Sequence, residues 1–187
     1  MSIRQFEAHQ PIIHSNSYVD ETALVIGEVE IGEDSSIWPM SVVRGDVNAI
    51  KIGKRTNIQD ASVLHVTHEA NEYSAKITDA QMGFPLIIGD DVTVGHKALL
   101  HACTVHNRVL VGMGSIIMDG VIIEDDTIVA AGSLVPPHKV LESGYLWLGS
   151  PIKKARELTL KEKNYLKYSA EHYVRLKERT EAGLAST

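Results

Sequence analysis

Aliphatic residues return along this chain at every sixth position, with small and polar residues between them. Val25, Ile31, Ile37 and Val43 are six apart, as are Ile52, Ile58 and Leu64, then Ile88, Val94 and Leu100, then Val105, Val111, Ile117, Ile123, Val129 and Val135. A helical period of 3.6 does not reproduce this spacing, and simple alternation does not hold a six-residue phase over such a length. Two places before the aliphatic residue often stands a small hydroxyl residue, such as Ser35, Ser41, Thr56, Ser62, Ser115, Thr127 or Ser133. A glycine often follows it, as at Gly32, Gly53, Gly89, Gly95 and Gly112, where a β-carbon would obstruct the chain. Each unit therefore turns one aliphatic side chain inward, and three units close one triangular coil of about 18 residues. The pattern predicts a parallel β-helix whose coils stack at about 4.8 Å.

The β-helix is expected over about 12–140, with its most regular coils from Ala23 to Val135 and residues 1–20 capping the open end. Two interruptions break the period. The step from Val43 to Ile52 is nine, which places a three-residue bulge around Arg44, Gly45 and Asp46. Between Leu64 and Ile88 an inserted loop is expected over about 67–85, polar and without repeat. The step from Leu100 to Val105 is one residue short. Beyond Pro136 and Pro137 the repeat stops. Thr159 and Glu162 form a capping box, and Leu166, Ala170, Tyr173 and Leu176 follow at helical spacing, which predicts a C-terminal α-helix over about 158–180. That helix needs a surface, either its own β-helix or a neighbour's.

Length and composition narrow the function classes. The chain has 187 residues and 44% hydrophobic content, enough for a single domain with one continuous core. Its formal charge is -6, with scattered Lys and Arg, so no footprint for nucleic acid or an anionic membrane is expected. Residues 1–10 hold no apolar run and no stretch approaches a membrane span, so a cytoplasmic location is expected. The single cysteine, Cys103, excludes an internal disulfide and reads as buried filler.

Candidate chemistry comes from three of the nine histidines. His65 follows inward Leu64, and His101 follows inward Leu100. With the inserted loop set aside, Leu64 and Leu100 are three hexapeptide steps apart, one full coil. Their histidines should stack about 4.8 Å apart, close enough to share one metal with bonds of about 2.0–2.1 Å. His96, two places after Val94, belongs to the preceding face and cannot join them within the chain. A three-fold trimer of parallel β-helices supplies it from the neighbour. The same counting puts Arg44 in the column of His65 and His101, and Gln59 close to that of His96. Arg44, Asp46, Asn57, Gln59 and Asp60 then line or brace the pocket. Imidazole ligands suit zinc, iron, cobalt or nickel, with zinc favoured.

These motifs resemble the gamma-class carbonic anhydrase family, in its shorter hexapeptide-repeat branch. The resemblance rests on Arg44-Gly45-Asp46, on Thr56-Asn57-Ile58-Gln59-Asp60 leading to Val63-Leu64-His65, and on Val94-Gly95-His96-Lys97-Ala98-Leu99-Leu100-His101. It implies a left-handed coil, a homotrimer with a zinc (or Fe2+ or Co2+) site at each interface held by His65, His96 and His101, and an Arg44 to Asp46 ion pair between subunits. The implied reaction is reversible hydration of carbon dioxide to bicarbonate by a metal-bound hydroxide. Gln59, with Asn57 beside it, would orient the nucleophile, and a tyrosine of the C-terminal helix would reach the pocket. Tyr173 is the best match, with Tyr165 and Tyr168 as alternatives. The resemblance departs at the proton shuttle: the acids of the inserted loop, Glu69, Glu72 and Asp79, sit in no matching motif, and Val47 stands where a second acid is expected. Slow turnover follows.

Three rivals share the fold: a hexapeptide-repeat acyltransferase, an acyl-CoA thioesterase, and a non-catalytic trimer pinned by metal. A transferase needs one histidine as a general base, whereas three stand here in ligand registers.

Overall fold

A computed structural model describes residues 2–69 and 83–185. They form a left-handed parallel β-helix of about seven turns followed by one helix. Three columns of inward side chains run down its three faces. On the first, Ile3, Val25, Val43, Leu64, Leu100, Ile117 and Val135 pair in succession. On the second the column is Ile13, Ile31, Ile52, Ile88, Val105, Ile123 and Leu141. Val19, Ile37, Ile58, Val94, Val111, Val129 and Trp147 make the third. Almost all of these side chains are buried in one hydrophobic cluster among the described residues, with Ile3, Ile13 and Val19 packed against it.

The coils therefore begin earlier than Ala23 and continue past Pro136 and Pro137, where the repeat was expected to stop, because Ile13, Val19 and Val25 before and Leu141 and Trp147 after keep the six-residue step. The nine-residue step also resolves later than expected. Ile26 and Gly27 still pair with Arg44 and Gly45, and the register shifts only beyond them, where Val29 meets Ile50. Gly27 and Gly45 explain the delay: a β-carbon on Gly27 would lie 2.2 Å from the Gly45 carbonyl oxygen, so the two coils press together through this corner. The extra residues emerge after it, at 46–49.

Repeat glycines serve the same close stacking. A β-carbon at Gly112 would sit 2.4 Å from the Ala131 nitrogen. One set of left-handed backbone positions comprises Asp34, Arg55, Asp91, Arg108 and Asp126, all with φ between 52° and 58°. These five residues occupy one corner in successive coils with alternating charge. Arg55 grips Asp91 through two bonds of 2.6 and 2.8 Å, and Arg108 grips Asp126 at 2.7 and 3.0 Å. Planar guanidinium forks suit such bidentate contacts.

The inserted loop has an antiparallel neck, Thr67 to Phe84. Most of the loop expected over 67–85, with Glu72 and Asp79, lies outside the described residues.

Thr159 caps the helix Leu160–Leu184, and its reciprocal bonds with Glu162 form the expected capping box. The helix lies on the third face of its own chain. Ser169 Oγ meets Thr93 Oγ1 at 2.9 Å, Tyr173 packs edge-on to Trp38, and Lys177 reaches Asp34 at 3.1 Å and the Asn16 carbonyl. At a rise of about 1.5 Å per residue, this helix spans roughly the height of the stacked coils. Lys177 pins its end to the first coils, its side chain only 4% exposed. Lys177→Ala should lower stability by about 1–3 kcal/mol, read as an earlier denaturation midpoint at unchanged slope.

Candidate metal centre

His65 and His101 stand one above the other at the end of the first face, their residues paired in register. His65 Nδ1 and His101 Nε2 face each other across 3.1 Å. Two ligands of a tetrahedral metal with bonds of about 2.0–2.1 Å are separated by about 3.3 Å, so the spacing fits a shared cation.

Protonation strengthens that fit. His65 Nε2 lies 3.0 Å from Asp46 Oδ1, and His101 Nδ1 lies 2.6 Å from Asp119 Oδ1. An ionised carboxylate only accepts hydrogen bonds, so each of these ring nitrogens carries its proton and donates it. In a neutral ring the other nitrogen then holds a lone pair. Burial pushes the His65 imidazole below its ordinary pKa although the bond to Asp46 opposes this, which favours the neutral ring. With both rings neutral, the two facing nitrogens each hold a lone pair, an arrangement that a cation between them relieves. Burial raises the Asp46 carboxyl, but hydrogen bonds from His65 and Arg44 outweigh it and hold that carboxyl below its usual range. Within the chain, Arg44 pairs with Asp46.

The third histidine is elsewhere. His96 sits at the opposite end of the first face, its Nδ1 bonded to Asp60 Oδ2 at 2.8 Å, which leaves Nε2 as its donor of electrons. Among the described residues no three His, Cys, Asp or Glu side chains converge within one chain to hold a metal. Near His96 lie the other expected residues. Gln59 donates to Asn57 Oδ1 at 3.1 Å, and Asn57 donates to Thr93 Oγ1 at 3.1 Å, which meets Ser169 of the helix. This buried row fixes the amide of Gln59. Gln59, His96, Tyr165 and Tyr173 line one cavity of about 350 Å³, whose remaining wall is largely aliphatic, with Leu110, Ile128 and Leu146. Tyr168 lies outside it. Burial, with Asp60 and Tyr165 nearby, raises the Tyr173 phenol above its ordinary pKa, so it remains a hydrogen-bond donor.

A family model described as bacterial transferase hexapeptide (six repeats) matches residues 102–137. Protein YrdA of Escherichia coli is 53% identical over 94% of this chain and 92% of its own length. A probable carbonic anhydrase of Methanocaldococcus jannaschii is 38% identical over 91% of this chain and 99% of its own. The chain belongs to the gamma-class carbonic anhydrase-like family of hexapeptide-repeat proteins. A solved member of the wider fold, a hexapeptide transferase family protein from Anaplasma phagocytophilum, is 40% identical, covers 94% of this chain and 96% of its own, and superposes with a TM-score of 0.83.

Two side chains of this gamma-class-like chain escaped the sequence reading. Asp119 bonds His101, and Thr67 donates to the second oxygen of Asp119. Ile117 pairs with Leu100, so counting one coil beyond His101 reaches Met118 and the corner beside it, where Asp119 stands. Among the described residues no helix is long and apolar enough to cross a membrane.

Proposed function

We propose that this chain is a metal-dependent carbonic anhydrase, working as a homotrimer on carbon dioxide and bicarbonate in the cytoplasm. The observation that carries the reading is the pair of imidazole nitrogens, His65 Nδ1 and His101 Nε2, that face each other across 3.1 Å with a carboxylate behind each ring. Carboxylate, histidine and metal in line is the usual outer shell of such centres. The trimer draws support from the first face. Between the His96 corner and the His65 and His101 corner it carries an outward stripe of Val63, Leu99 and Ile116, exposed by 39%, 39% and 42%. Three such faces turned toward a common axis bury this stripe. They also bring His96 of each chain to the histidine pair of the next.

The donor set suits zinc, with iron(II) or cobalt as alternatives. When bound, such a metal supplies Lewis acidity that makes water nucleophilic near neutral pH. The chain's own groups then act on substrate. Gln59, held by Asn57, offers its remaining amide hydrogen to negative charge developing on the carbonate oxygens. Tyr173, kept protonated, donates a second bond from the same wall of the cavity. The buried Trp38 sets the orientation of Tyr173 through its edge contact, with centroids 5.6 Å apart.

Stopped-flow assay of carbon dioxide hydration on trimer reconstituted with zinc or iron(II) tests the reading. Activity with either metal supports it. Inactivity with both, together with hydrolysis of an acyl-CoA, replaces it with a thioesterase. The aliphatic cavity beside Gln59 and His96 favours that second reading, because carbon dioxide needs little of its volume. Gln59→Ala should lower kcat about 10- to 100-fold at unchanged metal content, checked by assay alongside metal analysis.

A further inference from the structure

We propose that Asp119 is a positioning residue for the metal centre, fixing which nitrogen His101 presents, and that Thr67 in turn fixes Asp119. The inference rests on the metal-binding reading above and extends it to two residues that neither the repeat count nor the family resemblance singled out.

The two histidines of the pair use opposite nitrogens. His65 presents Nδ1 and His101 presents Nε2, although both stand at equivalent places in successive coils. Backbone position therefore does not choose the nitrogen. What differs is the side on which the carboxylate lies. Asp46 stands in the coil before His65 and accepts from Nε2, while Asp119 stands in the coil after His101 and accepts from Nδ1. The order through the stack is acid, imidazole, imidazole, acid, with His65 Nδ1 and His101 Nε2 turned to the middle. Without Asp119, the His101 ring loses the partner that distinguishes its two nitrogens.

Asp119 is itself held firmly. Its backbone carbonyl accepts from His138 N at 2.9 Å, and the following Gly120 N donates to Ala102 O at 2.8 Å, so the corner is tied to the coils on both sides. Its second carboxylate oxygen accepts from the Thr67 hydroxyl. Thr67 is fixed in turn: its N donates to Phe84 O at 3.2 Å, and its carbonyl accepts from Asn48 Nδ2 at 3.3 Å. The threonine at the neck of the inserted loop thus plays for Asp119 the part that Arg44 plays for Asp46. Each carboxylate has one oxygen on a histidine and the other on an anchoring donor. Such outer partners set ring orientation and raise ligand basicity.

The test measures metal affinity on the full chain, by competition of cobalt(II) with a chelator, with the cobalt absorption spectrum recorded alongside. Asp119→Asn is expected to bind cobalt about 10- to 100-fold more weakly with shifted ligand-field bands. Thr67→Val should weaken binding in the same direction, and Thr67→Ser, which keeps the hydroxyl, should restore it. Melting of the metal-free protein and native mass report folding and assembly separately. Wild-type affinity and spectrum in Asp119→Asn overturn the inference while leaving the metal site standing. Should Asp119→Asn fail to fold, the threonine pair decides, and equal affinity of Thr67→Val and Thr67→Ser overturns it. A wild-type chain that takes up no cobalt removes both the metal reading and this inference.

Discussion

His96→Ala is expected to lose metal as completely as His65→Ala, although His96 stands at the other end of the face from the histidine pair. Structural zinc sites gain about 10–16 kcal/mol, generally from four ligands, so one lost imidazole removes about 3–4 kcal/mol, a loss of roughly 100- to 1,000-fold in affinity. A site formed by one chain predicts something else, because His65 and His101 would keep their metal when His96 is gone. Mixing the two variants separates these cases further. A shared site is whole only where an intact pair from a His96→Ala chain meets an intact His96 from a His65→Ala chain. Random assembly of equal amounts into trimers restores about one quarter of the sites. Metal analysis of mixed trimers isolated after refolding checks this. Full metal retention by His96→Ala, or no recovery in the mixture, sinks the shared site.

Leu100→Ala should be the most damaging single truncation near the centre. Leu100 is fully buried between Leu64 of the coil before and Ile117 of the coil after, and its neighbour in sequence is the ligand candidate His101. Coils stacked at about 4.8 Å cannot close over a missing isobutyl group without breaking strand register. The expected loss is about 2–5 kcal/mol. For a chain of this size that lowers the melting temperature of the metal-free protein by roughly 5–15 °C. Calorimetry on the variant measures it. A shift under a degree would mean that the inward columns do not carry the fold.

Much of this architecture is legible in the residue pattern because the β-helix converts sequence distance into spatial distance by a simple rule. One inward residue in six and three faces per coil place Leu64 on Leu100, and hence His65 on His101. The rule weakens where the chain gains or loses residues. The extra residues after Val43 were expected at Arg44 to Asp46 but follow Gly45, since the close contact of Gly27 with Gly45 holds the coils in register that far. The short step after Leu100 likewise obscures Asp119: it pairs Leu100 with Ile117, which puts Met118 in the column of His101 and leaves Asp119 one place beside it. The charged corner of Asp34, Arg55, Asp91, Arg108 and Asp126 carries no periodic hydrophobic signal, and its ion pairs exist only because residues 17 to 36 apart in sequence stack.

By itself the sequence determined the coil, its inward columns, the capped C-terminal helix and the stacking of two histidines, because each follows from a period that burial enforces. The tertiary structure alone decided that the helix lies on the third face of its own chain, that Asp46 stands between Arg44 and His65, and that His65 and His101 present opposite nitrogens to one point. Those choices depend on side-chain torsions and on carboxylates reaching across from other coils, and a repeat spacing contains neither.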